Sequence, residues 1–533
     1  MKRSRFILFL ILSSNAYAQN TGVLSGGFQS DTQWYQDDQA IRAFAPREKL
    51  ASNNYLKVDY AINNFTFGIR YEAYLPPLLG YQQQYEGTGI TNKYASFHND
   101  ILEVTAGNFY EQFGSGLILR TYEERQLGVD NSLDGFRVKI SPVEGVDLTG
   151  VYGKQRKFFE PGNGTVRGID GNIHINKIFN WENSPFVGVG ISAVSKYELY
   201  TGPNDDINEN VNAYSARASL VGSKMSFDAE YVQKDIDPSE SNALNTIRKG
   251  RAILINSGFF KKGIGINLTL RRLENMDFRS ERTASLTNLW INYLPAETRQ
   301  HGYLLPNIYP YAVQAQGEIG GQVNVNYTFA KKSKLGGKYG TKIALNYSQY
   351  NKLQKEVNHA SSTANFNTEL FQVNDTIIYR DANIELKKKV NKNFTTTLSF
   401  ISIEYNKVLI EGNPGRNINS QIGVVETLFK FPKRRSVRME LQHLWTKEDN
   451  GNWAAGLLEY SIAPKWSFFA MDQYNYGSGI RIHYYQAGFS FKKDATQITT
   501  SYGRQRGGLI CVGGVCRLVP TASGANLSIV TNF

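Results

Sequence analysis

The sequence predicts an all-β protein, a single large antiparallel transmembrane β-barrel of about 24 strands, within a range of about 22 to 26. Three observations predict this fold: apolar and polar residues alternate along the chain, short and long connections alternate, and the last residue is aromatic. The chain has 533 residues, of which 41% are hydrophobic and 13% aromatic. No series of apolar runs of about 20 residues is present, which excludes a bundle of membrane helices.

The N-terminus has the features of a secretion signal. Three basic residues in the first five positions precede an apolar run that is too short to span a bilayer, and Ala16-Tyr17-Ala18 forms a small-residue cleavage site. We therefore predict a signal peptide over residues 1–18 and one barrel domain over residues 19–533. A buried N-terminal strand is the alternative.

Alternation is clearest at a predicted hairpin that turns at Asn63-Asn64. Side chains of a strand point to opposite faces in turn, and Asn tolerates the positive φ that tight hairpins require. Ile69 falls on the apolar face, whereas Arg70 and Glu72 fall on the polar face. We expect Ile69 to contact lipid and Arg70 to face a wet lumen, so that Arg70→Ile costs less than Ile69→Arg.

The connections alternate in length, as in membrane barrels with short periplasmic turns and long extracellular loops. The long connections include residues 31–52, 76–91, 110–133, 275–316 and 351–376. Short turns are predicted near Asn63, Asn99, Val143, Phe179, Ser223, Lys262, Ser333, Val390, Lys433, Pro464 and Asp494. A secreted or surface β-sandwich binding protein also alternates and is the alternative fold, but its connections would be irregular in length.

The C-terminal segment alternates up to Phe533, the last residue. It resembles the last strand of Gram-negative outer-membrane barrels, whose terminal aromatic residue is an assembly signal for the barrel-assembly machinery. The resemblance implies the outer membrane of a Gram-negative bacterium as the location.

The net charge of +12 arises largely in or beside the short turns. Fourteen basic residues lie there, with Asp494 as the one adjacent acid: Lys261, Lys262, Lys331, Lys332, Lys334, Lys387, Lys388, Lys389, Lys392, Lys433, Arg434, Arg435, Lys492 and Lys493. Two explanations of these basic residues stay open, attraction to anionic outer-membrane lipids and simple solvation of the turns. Their scatter around a rim of an exported protein argues against nucleic acid as a partner.

The segment 107–125 differs from an ordinary solvated loop. It combines three glycines, four aromatic residues, the apolar run Leu117-Ile118-Leu119 and a dense Arg/Glu cluster. Two interpretations stay open, a loop folded into the lumen and an extra hairpin. The predicted lumen and constriction residues are Arg70, Glu72, Glu111, Arg120, Glu123, Glu124, Arg125 and Arg137.

The longest connection, 275–316, is rich in aromatic residues, including Trp290, Tyr303 and Tyr311. Aromatic residues at this density indicate burial against the barrel mouth, a partner or a sugar, or packing of the loop on itself.

Cys511 and Cys516 flank Val-Gly-Gly-Val. A type I′ turn at Gly513-Gly514 places the two cysteines opposite one another at a separation that suits a disulfide. We expect the bridge to hold Arg504, Arg506 and Arg517 at a rigid tip above the pore.

No catalytic motif is recognisable, and the six histidines fall in unrelated segments. We therefore expect no enzymatic activity, no cofactor and no metal site.

The segment 107–125, followed by Asp130-Asn131-Ser132-Leu133-Asp134-Gly135, and the segment 503–517 resemble uncharacterised outer-membrane barrels of Bacteroidota that carry a domain-of-unknown-function label. The resemblance implies the fold and the location, and it assigns no active residue. Two functions remain: a channel narrowed by loops, and a barrel subunit of a larger transport or export assembly that binds other outer-membrane or periplasmic proteins.

Overall fold

The computed structural model describes residues 22–181, 185–200, 207–239, 248–357, 366–479 and 481–533. The predicted signal peptide lies outside the described residues. Within them, 24 strands form one antiparallel sheet that closes on itself, which confirms the predicted fold class and strand number. No described helix is long and apolar enough to cross a membrane.

We number the barrel strands β1 to β24 in chain order. Their bounds are Val23–Tyr35, Leu50–Ile62, Phe65–Tyr74, Gly87–His98, Leu102–Phe109, Leu133–Val143, Val146–Lys157, Glu160–His174, Phe186–Tyr197, Asn210–Val221, Met225–Lys234, Gly250–Lys261, Ile264–Glu274, Gly317–Phe329, Thr341–Leu353, Val373–Lys389, Phe394–Tyr405, Ile418–Phe431, Arg435–Trp445, Trp453–Ile462, Trp466–Asn475, Ile482–Lys493, Thr496–Gln505 and Ala522–Asn532. Two short helices, α1 (Ile175–Ile178) and α2 (Lys407–Glu411), lie in connections.

Sequential strands pair throughout, and β1 pairs with β24 to close the barrel. Closure leaves no unpaired edge in the sheet, which is the condition for a sheet that spans a membrane. The chain end contributes to closure, because the Gly26 N–H donates to the Phe533 carbonyl at 2.8 Å and the Phe533 N–H donates back at 3.0 Å.

The two faces follow the predicted alternation. In the β2–β3 pair, Val58 lies opposite Ile69 and Lys57 opposite Arg70. Ile69 is 43% exposed on the outer face, whereas Arg70 is 4% exposed in the lumen. The outer face is apolar around the barrel, as expected of a wall in contact with lipid.

The predicted short turns all lie at one rim, which we call the short-turn rim. Most connections at the opposite rim, the loop rim, are long. The short ones there are residues 446–452, residues 476–481 and a two-residue turn at Phe158-Phe159 between β7 and β8. Several strands extend into the predicted loops, because β1 continues to Tyr35 and β4 begins at Gly87. A single closed barrel rules out the alternative β-sandwich fold.

Candidate functional site

Three connections from the loop rim enter the lumen: residues 110–132, 275–316 and 506–521. We call them the lumen segments. They pack against the barrel wall and against one another, so the candidate site is the interior of the barrel near the loop rim.

Segment 110–132 reverses inside the lumen, and a small hairpin pairs Gln112–Phe113 with Leu119–Arg120. Gly114, at its tip, has a φ of +54°, and a Cβ there would lie 2.5 Å from Cδ of Arg217 on the wall. Only glycine combines this backbone conformation with such a close approach. The Ser115 N–H and hydroxyl both donate to the Glu230 carboxylate, at 2.9 and 2.5 Å. The segment therefore crosses from β5 to β11 instead of extending outward.

Burial explains the apolar run of this segment. Leu117, Ile118 and Leu119 are 0% exposed. They pack in one cluster with buried wall residues of β5 to β13, including Val151, Val166, Val194, Val211, Val232, Ala252 and Leu273. The lumen wall is thus apolar where this run contacts it, a departure from the polar lumen that simple alternation predicts. Each fully buried aliphatic side chain stabilises the docked segment by about 1.5–3 kcal/mol.

A buried ionic cluster joins the segment to the wall. Arg70 contacts Glu72 at 2.8 Å, Glu123 at 3.0 Å and Asp130. Arg156 contacts Glu72 and Asp130, each at 2.6 Å. Two guanidinium groups are therefore surrounded by three carboxylates, of which Glu123 and Asp130 belong to the lumen segment.

The three carboxylates of this cluster have oxygen atoms within 4.8 Å of one another. Such a group could hold a cation, but the guanidinium groups of Arg70 and Arg156 already neutralise it. Burial alone would raise the pKa of Asp130, and the positive charges of Arg156 and Arg70 outweigh it and hold that pKa below its usual range. The arrangement fits a structural clamp.

The other predicted residues lie nearby in different roles. Arg125 bonds Glu123 at 2.7 Å and stacks on the Tyr55 ring at 4.1 Å. Arg137 contacts Glu103 and lies 3.6 Å from Glu111.

Arg120 and Glu124, like Arg137 and Glu111, stand outside the ionic cluster. Arg120 lies 4.0 Å above the Tyr293 ring of segment 275–316. Glu124 accepts a hydrogen bond from the Gln126 N–H and caps a short turn, so it makes no contact within the ionic cluster.

Sequence reasoning missed Asp130 and Arg156. Asp130 stands in the quoted family motif, but nothing local marks it as a partner of β3. Arg156 lies beside a register shift in the β7–β8 pairing, between Lys154 and Arg156. A shift of this kind breaks the period-two pattern, so alternation could not assign the Arg156 side chain to the lumen.

Segment 275–316 crosses the lumen to the opposite wall. Arg299 bonds Glu385 at 2.6 Å, and His301 contacts Asp381 at 2.5 Å, both on β16. Leu305 and Tyr309 pack into an apolar cluster with residues of β15 to β22. The aromatic residues of this segment are thus buried mainly against the barrel wall.

The fully buried Arg271, Tyr311 and Glu318 form a second polar group at the base of the same segment. The Tyr311 hydroxyl accepts from Arg271 at 2.8 Å and donates to Glu318 at 2.6 Å. Glu297 of the segment lies near Arg271, yet burial raises the pKa of its carboxyl above the usual range.

Cys511 and Cys516 are cross-strand partners in a hairpin of Gly508–Val512 with Val515–Val519, and their sulfur atoms are bonded. The turn is covered by segment 275–316: the Tyr293 hydroxyl donates to the Gly513 carbonyl at 2.8 Å. A Cβ at Gly514 would lie 2.5 Å from a Val313 methyl group. The hairpin is therefore docked on another lumen segment.

The expectation that this hairpin holds three arginines at a tip above the pore is wrong. Arg504 bonds Asp38 at 2.6 Å, and Arg517 stacks on the Tyr81 ring at 4.3 Å. Arg506 donates to the adjacent Gly507 carbonyl. Aromatic and acidic partners on neighbouring loops hold the arginines against the mouth of the barrel.

Two cavities border segment 110–132. One of about 340 Å³ lies between its tip and β8 to β12, and Asn172, His174, Arg217, Asp228 and Glu230 line it. The other, of about 330 Å³, lies between its base and β2 to β6, and Lys57, Tyr94, Phe109, Arg125 and Arg137 are among its lining residues. Each cavity has charged side chains of both signs beside apolar ones, and Glu123 is the acidic residue of the second cavity.

Solved structures of several membrane barrels are similar at low identity. The siderophore receptor PirA from Pseudomonas aeruginosa is 9% identical, with a TM-score of 0.40 over 97% of this chain and 81% of that one. The translocation pore of the P pilus usher PapC is 10% identical, with a TM-score of 0.39 over 96% and 99%. A BenF-like porin from Pseudomonas fluorescens Pf-5 is 10% identical, with a TM-score of 0.35 over 82% and 96%. Similarities at this level do not carry function from one barrel to another.

No curated protein matches the sequence significantly. A family match, in contrast, extends over the whole chain, residues 1–533. The chain therefore belongs to the family of unknown function DUF6029.

Proposed function

We propose that the protein is an outer-membrane channel of a Gram-negative bacterium, that its three lumen segments narrow the path for small polar solutes, and that it acts without catalysis. The observation that carries the proposal is the position of segment 110–132, which crosses the lumen from β5 to Glu230 on β11. A loop fixed across a wide barrel reduces the cross-section without closing the polar cavities on either side of it.

The apolar outer face and the loop lengths support the proposed location. Outer-membrane barrels have short turns in the periplasm and longer loops outside the cell. The short-turn rim with Phe533 then faces the periplasm, and the lumen segments enter from the extracellular side. Outer-membrane lipids and the barrel-assembly machinery are the partners that this location requires.

The cavities favour small polar solutes over ions of one sign. Both signs of charge are present in each cavity, as Arg217 beside Glu230 and Arg125 beside Glu123 illustrate. Rings of one charge sign are what a strongly ion-selective pore requires.

Conductance in planar bilayers tests the channel. The unmodified protein should give small, uniform steps, and replacement of 112–120 by a short Gly-Ser linker should give larger steps because the crossing loop is lost. The matched control shortens the exposed segment 413–417 at the same rim, and its steps should equal those of the unmodified protein. Absence of conductance from every variant would exclude the channel.

A second role, as a barrel subunit of a larger assembly, is favoured by apolar side chains at the loop rim. Phe44 is 76% and Phe371 is 75% exposed on two different loops. Exposed apolar groups of this size are frequent at protein interfaces. Purification from native membranes in mild detergent tests this role: stoichiometric partners that are lost in a Phe44→Ser/Phe371→Ser variant support it, and a monomer in both preparations opposes it.

A further inference from the structure

The short-turn rim is strongly basic along one half only. The six turns that join β12 to β23 all carry exposed lysines or arginines, and Asp494 is the single acidic residue among them. The basic residues lie within 261–262, 331–342, 387–392, 430–435, 465 and 492–493. We call these residues the basic rim. Among the described residues of the turns that join β2 to β11, Lys177 and Lys224 are outweighed by Asp100, Glu103, Glu144 and Asp147.

Lipid head groups do not account for this distribution. Lipid surrounds a barrel on all sides, whereas the basic rim covers one half of the circumference. In addition, part of the basic rim faces the lumen. Lys387 lies on the face of β16 that carries Glu385, whose partner is Arg299 of a lumen segment. Lys430 alternates with the exposed, outward-facing Phe429 and Phe431. Head groups of the bilayer cannot reach the lumen side of the wall.

An anionic solute does not account for it either. On β18 to β20, the lumen wall directly inside the basic rim is acidic, because Glu426, Glu440 and Glu459 gather around Arg438. An anion attracted to the rim would meet three carboxylates and one guanidinium group as its next contacts. Such a wall repels the species that the rim attracts, so the rim is poorly suited as the entrance of an anion path.

We propose that the basic rim docks an acidic periplasmic protein, which covers the half of the barrel mouth formed by β12 to β23. The inference rests on the proposed orientation of the short-turn rim toward the periplasm. A rigid acidic surface contacts lumen-facing and outward-facing lysines of neighbouring turns at once, and complementary charge on this scale gives fast, salt-dependent association. The opposite half of the mouth, which leads to the two polar cavities, stays open.

A binding experiment with full-length protein in phosphatidylcholine nanodiscs tests the proposal, with fluorescein-labelled poly-L-glutamate as the probe. Lys433→Glu/Arg434→Glu reverses two charges of the basic rim, and Lys177→Glu/Lys224→Glu reverses two exposed charges of the other half. The first pair should weaken binding by about tenfold and the control pair by less than about twofold, with a steep dependence on salt. Equal losses from both pairs would overturn the proposal.

Photo-crosslinking in cells identifies the class of partner. A crosslinking residue at position 392 should give a discrete protein adduct that Lys433→Glu/Arg434→Glu removes, and one at position 64 should give none. Adducts with lipid alone, or equal protein adducts at both positions, would contradict an acidic protein partner. Heat-modifiable migration of each variant checks that the barrel has folded. The bilayer conductance is recorded separately. A protein that binds the acidic partner but does not conduct would contradict the channel alone, and a protein that conducts but does not bind would contradict the docking alone.

Discussion

At the residue scale, the structure changes the expected consequences of substituting Arg70. Sequence reasoning treats Arg70 as a solvated lumen residue whose replacement by Ile costs little. The side chain is instead buried among Glu72, Glu123 and Asp130. Removing one partner of a buried ion pair costs about 3–5 kcal/mol, because the remaining charges have lost their compensation.

Arg70→Ile should therefore cost at least as much as Ile69→Arg, for which about 2–4 kcal/mol is expected at the bilayer midplane. Urea titration of the refolded protein in detergent measures both, and protease cleavage within 110–132 should increase for Arg70→Ile alone. Lys57→Ile is the matched control, since Lys57 lies opposite Arg70 but its side chain is half exposed. A small effect of Arg70→Ile, similar to the control, would show that the cluster does not hold the loop.

The same cluster predicts a dependence on pH. The ionised form of Asp130 is stabilised by Arg156 and Arg70, so its pKa lies below the usual value. Its contribution to docking is therefore present above about pH 4 and is lost as the pH falls through the lowered pKa. Hydrogen exchange should show loss of protection in 110–132 as the pH falls below about pH 4. In the Asp130→Asn variant, segment 110–132 should be less protected at neutral pH, and its protection should change less on acidification. Full protection of this segment in the unmodified protein at the lowest pH would contradict the role of the Asp130 carboxylate.

At the element scale, docking of segment 110–132 depends on its apolar run. Ile118 is fully buried, so Ile118→Ala should lose about 2–5 kcal/mol of docking energy. The released segment should be cleaved faster by protease added outside, while the barrel stays heat-modifiable. Leu286→Ala is the control, because Leu286 is 71% exposed on another lumen segment. Equal cleavage rates in the two variants would mean that the wall contacts contribute little.

The cysteine hairpin gives a second test at this scale. A bridge that closes so short a loop stabilises the folded state by about 2 kcal/mol in the chain-entropy model. Cys511→Ala/Cys516→Ala should insert normally, yet the hairpin should become more sensitive to protease because its contacts with Tyr293 and Ala296 are less firmly positioned. In intact cells, a membrane-impermeant thiol reagent should label the unmodified protein only after external reduction. Labelling without reductant would exclude the bridge, and labelling restricted to lysed cells would reverse the proposed orientation.

At the scale of the whole molecule, closure of the barrel depends on the chain end. Phe533 exchanges two backbone hydrogen bonds with Gly26, and its ring lies against that glycine. Phe533→Ala should reduce the amount of folded protein in the outer membrane, because the last strand must be recognised and must pair with the first. Phe431→Ala, at an exposed aromatic residue of the same rim, is the control. Membrane fractionation measures both, and an undiminished level of Phe533→Ala would contradict the assembly role.

The strands and their faces could be predicted from the sequence because their signals are local. A period of two, a turn residue such as Asn63 and the length of a connection are read without knowledge of distant partners. Ile69 and Arg70 lie on the expected faces for this reason. The strand number followed from the turns, since each short turn marks one pair of strands and the first and last strands complete the barrel.

The closed barrel, its approximate size and its basic turns can be derived from local sequence patterns, whereas the contents of the lumen depend on contacts between distant parts of the chain. Glu123 and Asp130 of one lumen segment meet Arg70 and Arg156, so the cluster joins three different parts of the chain, and a register shift in β7 turns Arg156 inward. Two other features also depend on how the sheet closes. The cysteine hairpin lies beneath Tyr293, and the basic rim is restricted to one half of the mouth. Alternation and turn signals depend on residues that are neighbours in sequence. Contacts across a lumen depend instead on the circular order of 24 strands, because that order brings together residues that no local pattern relates.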